Sequence, residues 1–161
     1  MFREMRRNKQ TVSQERCINI LNEATAGVLA VLGDDYYPYA LPLSFVYEDN
    51  KIYFHCAKTG HKLDGIHHNE KVSFCIIDKD DVIQKAYTTH FRSVIVFGKA
   101  RVLENEEDKK NALKLLVAKY CANHQEGGLL EIEASLAHTA IVEIQVEHIS
   151  GKESLELTRM R

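Results

Sequence analysis

A chain of 161 residues, 45% hydrophobic and 27% charged, has the length and make-up of one globular domain, residues 1–161. Its formal net charge of −2 gives no electrostatic ground for binding nucleic acid, and no apolar run is long enough to cross a bilayer. The basic opening stretch, residues 1–7, lacks the apolar core of a signal peptide. Cys17, Cys56, Cys75 and Cys121 stand singly, with no CxxC pair, which argues for a reducing compartment, the cytoplasm, and against zinc or dithiol chemistry.

The first helix is expected to begin near Thr11 or Ser13. Thr11 and Gln14 have capping-box spacing, and Cys17, Ile18, Leu21 and Ala24 follow at helical intervals. Gly27 opens a short apolar strand over residues 28–32, which the turn sequence Gly33-Asp34-Asp35 ends. A second strand covers residues 39–47 and a third residues 51–56, so that the three read as a β-meander. Leu63, Ile66 and His67 then mark a short helix entered through Thr59-Gly60-His61-Lys62.

Residues 72–77 form a fourth strand, and the polar residues 78–90 read as an irregular surface loop. Residues 91–103 give the longest strand signal, with Gly98 marking a bulge or bend. Asn105 caps a helix whose acidic first turn suits the helix dipole and whose buried stripe is Ala112, Leu113, Leu116, Val117 and Tyr120. Gly127-Gly128 marks a loop and residues 139–146 a last strand. The tail, residues 149–161, reads as peripheral. Six strands, few helices and no β-α alternation indicate a mainly β fold, an antiparallel barrel with peripheral helices.

Three segments carry chemistry. In Ile52-Tyr53-Phe54-His55-Cys56-Ala57-Lys58-Thr59-Gly60-His61-Lys62 a strand ends, the chain turns at Gly60, and a helix starts with Lys62 in its first turn. Free N–H groups, the helix dipole and a cation make an anion site there, with His61 as a further donor. A plain turn followed by a solvated lysine fits the same residues. In Tyr39-Ala40-Leu41-Pro42-Leu43-Ser44-Phe45, Pro42 implies an edge or ligand-facing strand, whose free backbone groups suit a flat polar heterocycle. In Thr88-Thr89-His90-Phe91-Arg92-Ser93, Arg92 suits a phosphate or a surface ion pair, and Ser93 a ring edge.

His55, His61 and His67 recur at equal intervals, but they fall on a strand, a loop and a helix. No metal site is expected. Adjacent strand residues point to opposite faces, which also argues against a His55–Cys56 nucleophile pair.

Taken in order, YALPLSFVY, IYFHCAKTGHK, NEKVSF and FRSVIVFGKARVL resemble the pyridoxamine-phosphate-oxidase-like flavin proteins, especially the 5-nitroimidazole-resistance branch. The resemblance implies a six-stranded split barrel, a homodimer, and flavin mononucleotide (FMN) bound at the subunit interface. It implies that Ala40, Leu41, Pro42, Leu43 and Ser44 face the flavin ring, and that His55, Cys56 and Ala57 lie beside it. Gly60, His61 and Lys62 would bind its phosphate, and Arg92 and Ser93 would help to hold it. The activity expected is reduction of a small electron-poor compound, with NADH or NADPH as a candidate donor and, on the side-chain chemistry of histidine, His55 as candidate proton donor or substrate contact. His61 stands where the oxidases commonly carry arginine, and the tail lacks their basic and aromatic substrate-binding residues. Those departures argue against vitamin B6 oxidation. A flavin-binding module without turnover, or the same barrel holding haem or a deazaflavin, are the alternative readings.

Overall fold

In the computed structural model, which describes residues 2–160, the chain forms one antiparallel sheet with helices around it. The elements in order are β1 (Thr11–Val12), α1 (Gln14–Glu23), β2 (Gly27–Leu32), β3 (Pro38–Leu43), β4 (Val46–Glu48), β5 (Lys51–Ala57) and α2 (His61–His68). They continue with β6 (Lys71–Ile83), β7 (Thr88–Val102), α3 (Glu106–Tyr120), α4 (Gln125–Ser135), β8 (Thr139–Glu153) and α5 (Leu155–Arg159). The mainly β, antiparallel class is as expected, but the sheet has 8 strands where six were expected.

The extra strands come from a division and a small addition. The expected strand 39–47 breaks at Ser44 and Phe45 into β3 and β4, and the short β1 pairs with β8. The sheet order is β3-β2-β6-β7-β8-β5-β4, so β3 and β4 are joined by two residues yet stand at opposite ends of the path. The sheet must therefore curl until its ends meet, which makes a barrel with a split where β3 leaves β4. The expected meander is corrected accordingly: β3 pairs with β2, but β4 and β5 form a separate hairpin.

The barrel interior holds Phe45, Phe54, Phe74, Leu29, Ile52 and Ile76, all fully buried, with α1 closing one side through Cys17, Ile20 and Leu21. A second cluster lies outside the barrel, where Leu113 and Leu116 of α3 and Ile132 of α4 pack against Ile141 and Val46. Gly98 sits at a register shift between β7 and β8, as expected. A Cβ there would stand 2.4 Å from the Gln145 carbonyl oxygen, so only glycine lets the strands approach this closely.

Several boundaries move. Ser13 caps α1 by accepting the Arg16 N–H at 3.3 Å, and Thr11 lies in β1. Residues 78–90 are an ordered hairpin, not a loop: β6 and β7 stay paired out to Ile83 and Thr88. A two-stranded ribbon beyond the barrel has no core face, so its polar residues hide the strand pattern. Gly127 and Gly128 lie inside α4. The tail is also less peripheral than expected, since β8 runs on to Glu153, whose side chain is 1% exposed, and α5 follows. Ser150 and Gly151 interrupt the apolar alternation that would have extended the strand signal. Residue 161 lies outside the described residues.

Candidate functional site

The split arises from one change of partner. β4 pairs with β5 through Glu48–Lys51, Tyr47–Ile52 and Val46–Tyr53. Continued in the same register, Ser44 would oppose His55, and Pro42 would oppose Ala57. Pairing stops instead, and the chain bends at Ser44 and Phe45 so that β3 joins β2, Leu43 opposite Gly27. The last residues of β5 pair only with β8, His55 with Ile141 and Ala57 with Thr139. A fork results, with β3 as one arm and the end of β5 as the other. Along each arm, backbone N–H and C=O groups on one edge lack a strand partner, and Pro42 has no N–H to offer.

This fork brings together most of the residues expected to act. Ala40 and Pro42 are exposed on β3 and Ser44 is exposed just past its end, whereas Leu41 and Leu43 turn partly into the core. On the other arm His55 and Ala57 are exposed and Cys56 is half-buried. Burial pushes the Cys56 thiol above its ordinary 9.0, and the nearby Lys62 cation pulls the other way without reversing the shift. Cys56 is thus a protonated thiol at neutral pH, poorly suited to nucleophilic attack.

α2 begins at the end of the β5 arm. Gly60 holds φ at 138°, a conformation L-residues avoid, and a Cβ there would meet nothing within 4 Å. Its carbonyl oxygen accepts the N–H groups of Leu63 at 2.9 Å and Asp64 at 3.1 Å. Before them, the His61 and Lys62 N–H groups carry the positive end of the helix dipole. Lys62 is half-buried, and among the described residues it makes no ion pair.

The His61 side chain points elsewhere. Its ring stacks on Tyr39 at 4.1 Å between centroids, and Nε2 accepts the Asp34 N–H at 3.4 Å. It ties α2 to β3 and to the turn before it, so of His61 only the backbone N–H faces an anion at the helix start.

Arg92 and Ser93 lie apart from the fork. Arg92 donates from Nε to Glu153 at 2.8 Å and from Nη1 to Asp78 at 3.0 Å. Its charge is therefore already balanced by two carboxylates. Asp78 is the extra residue at the register shift between Ile77 and Lys79, and the ion pairs fix the root of the β6–β7 hairpin to the end of β8. β7 stands three strands from β3 and two from β5 in the sheet order, and Arg92 lies opposite Glu153 of β8, twelve residues along that strand from Ile141, the partner of His55.

Tyr120 was expected in the buried stripe of α3, but its side chain reaches the fork. The Phe45 N–H donates to its hydroxyl oxygen at 2.9 Å, and the hydroxyl lies 2.6 Å from the Thr25 carbonyl. Ser44, His55 and Tyr120 also line a groove of about 490 Å³ between the fork, α3 and α4. The tyrosine at the end of an otherwise aliphatic stripe was the available signal. Among the described residues no group of three or more His, Cys, Asp and Glu side chains could hold a metal ion, and no helix is long and apolar enough to cross a membrane.

This fold is shared with known proteins. The family model described as pyridoxamine 5'-phosphate oxidase matches residues 13–153. The chain belongs to that family. The match spans all three chemistry-bearing segments, so the membership inferred from their order stands. No curated protein matches the chain.

Among solved structures, the chain is similar to a candidate 5-nitroimidazole antibiotic resistance protein from Bacteroides thetaiotaomicron, with 21% identity, 89% of this chain and 86% of that one covered, and TM-score 0.76. It is also similar to the conserved hypothetical protein Rv2991 from Mycobacterium tuberculosis, with 18% identity, 96% and 92% covered, and TM-score 0.81. A third, an FAD-binding protein from Mesorhizobium loti, has 24% identity, 90% and 97% covered, and TM-score 0.61. At these identities the likeness shows a common fold.

Proposed function

We propose that this chain binds a flavin, FMN, at the fork as a homodimer and passes electrons from a nicotinamide donor to a small, flat, electron-poor compound. The observation that supports the reading is what the fork brings together: two unpaired strand edges, the bare first turn of α2, and a lysine free of ion pairs among the described residues. A ring edged with donors and acceptors suits the strand edges, and a phosphate suits the helix start. The open space at Gly60 allows close approach of backbone to phosphate. When bound, the flavin supplies the electron transfer itself.

The chain's part is to hold and orient. Ala40, Leu41, Pro42, Leu43 and Ser44 present backbone to the ring, and His55, Cys56 and Ala57 flank it. Gly60, His61 and Lys62 bind the phosphate through N–H groups and the ammonium. His55 is exposed at the fork, which supports a role as proton donor to the acceptor. The Bacteroides relative's description favours a nitro-heterocycle as acceptor, and the Mesorhizobium relative binds FAD, which makes FAD the competing occupant.

The dimer is supported by the outer face of the sheet. Ile77, Ile95 and Phe97 are 68%, 39% and 40% exposed there, beside Val28, Ala30 and Cys75. Ser93 belongs to β7, which also carries Ile95 and Phe97.

The purified protein's visible spectrum after addition of FMN or FAD and desalting tests the reading. Two oxidised-flavin bands that chromatography assigns to FMN, lost in Lys62→Ala, are expected. Bleaching by NADH or NADPH and recovery on adding a nitro-heterocycle would mark turnover. A retained flavin that neither donor bleaches would make the protein a binding module. His55→Ala is expected to keep the bands and lose most turnover.

A further inference from the structure

We infer that the groove between α3, α4 and the fork is a binding site for an uncharged aromatic ring compound, the second substrate of the reaction proposed above, on which this inference rests. The groove, about 490 Å³, falls in the range that encloses one or two rings. Its wall is aliphatic: Leu113, Leu116 and Val117 from α3 and Ile132 from α4. Ser44 and His55, which would face each other only if the β4–β5 ladder continued past Val46, line it on the fork side. A ring in the groove therefore lies against whatever occupies the fork, with a hydroxyl and an imidazole at its edge.

Charge narrows the class. No lysine or arginine lines the groove, and the one carboxylate, Glu131 of α4, is exposed. A carboxylate or phosphate entering would leave water, find no lysine or arginine among the lining side chains and approach a negative charge. The ammonium groups nearest the fork, Lys62 beside Cys56 and Lys119 over the Phe45 ring at 4.3 Å, do not line the groove. A phosphorylated pyridine of the kind the family's name suggests does not suit this groove. A neutral nitroarene does.

Two compounds that share a ring and differ in charge test the site: nitrobenzene and 4-nitrobenzoate, titrated into the 161-residue protein with ligand-observed NMR. Nitrobenzene is expected to bind at least tenfold more tightly. Cys121→Trp, on an exposed residue at the groove, is expected to weaken nitrobenzene at least tenfold while flavin retention is unchanged. Glu131→Lys is expected to raise affinity for 4-nitrobenzoate. Equal binding of the two compounds, or unchanged nitrobenzene binding in Cys121→Trp, would overturn the inference. Nitrobenzene bound in the groove by protein that retains no flavin would support the site and overturn only the flavin reading. Retained flavin with no nitrobenzene binding would overturn only the site.

Discussion

The hydroxyl of Tyr120 accepts the Phe45 N–H at 2.9 Å and lies 2.6 Å from the Thr25 carbonyl, where the β2–β3 ladder would place its next rung. The last true pair is Gly27 with Leu43, and one rung further Thr25 would face Phe45. One phenol, delivered by α3, thus occupies the point at which the chain changes partner from β2 to β5. Loss of it leaves a peptide N–H without its acceptor at the root of the fork.

Tyr120→Phe is therefore expected to lower stability by about 1–2 kcal/mol, the usual cost of such a vacancy. The diagnostic reading is amide exchange at Phe45, which should accelerate far more than exchange in the β7–β8 ladder. Uniform acceleration across the sheet would mean that the hydroxyl supports global stability without a local role at the fork.

The sequence made the two arms of the fork legible but not their meeting. Pro42 marked an edge, and Gly60 with Lys62 marked a helix start, because each signal depends on a few adjacent residues. The break at Ser44 and Phe45 left no such mark: residues 39–47 read as one continuous strand, and the hydroxyl that bonds the chain at the break comes from Tyr120, far along the chain. The same reason explains Arg92. Its local setting suits a phosphate, and only the folded chain brings Asp78 and Glu153 to it. His61 read as a phosphate donor because nothing nearby in sequence reveals the Tyr39 ring beneath it.

Arg92→Leu is expected to lower stability by about 1–2 kcal/mol, since it removes a charge-assisted hydrogen bond from the buried Glu153 and another from Asp78. The loss should appear as a lower urea midpoint, with the β6–β7 hairpin exchanging first. A variant that stays as stable as the parent but no longer retains flavin would reassign Arg92 to direct cofactor contact.

Glu143 gives a pH dependence with a definite sign. Its side chain is 6% exposed, and burial by itself would raise the carboxyl; Arg101 at 2.8 Å and Lys51 at 3.4 Å outweigh that and hold it below 4.5. Burial, with Glu143 alongside, also pushes the Tyr53 hydroxyl up to about 12. A carboxyl depressed by folding adds stability that is complete above its unfolded value and is lost as pH falls through the folded value. Arg101 is largely exposed, so solvent screening limits the effect of Arg101→Met to about 1 kcal/mol at pH 7. The gap between variant and parent should narrow as pH falls through the depressed Glu143 value and close once that carboxyl is protonated. A gap that stays the same size across the whole acid range over which the parent remains folded would place the loss in packing of the arginine stem.

Two adjacent glycines in α4 should respond in opposite directions to the same substitution. A Cβ at Gly127 would meet nothing within 4 Å, whereas at Gly128 it would stand 2.5 Å from Val117 Cγ1. Both sit within a helix, where alanine is favoured over glycine by about 1 kcal/mol. Gly127→Ala keeps that gain, and α4, whose N-cap His124 makes no side-chain capping bond, should exchange its amides several-fold more slowly. At Gly128 the methyl must push α4 away from α3 or displace Val117, so Gly128→Ala should speed the same exchange and widen the groove. Faster exchange in both variants would mean that α4 tolerates no added bulk on either face, and that its packing on α3 extends beyond the Gly128–Val117 contact.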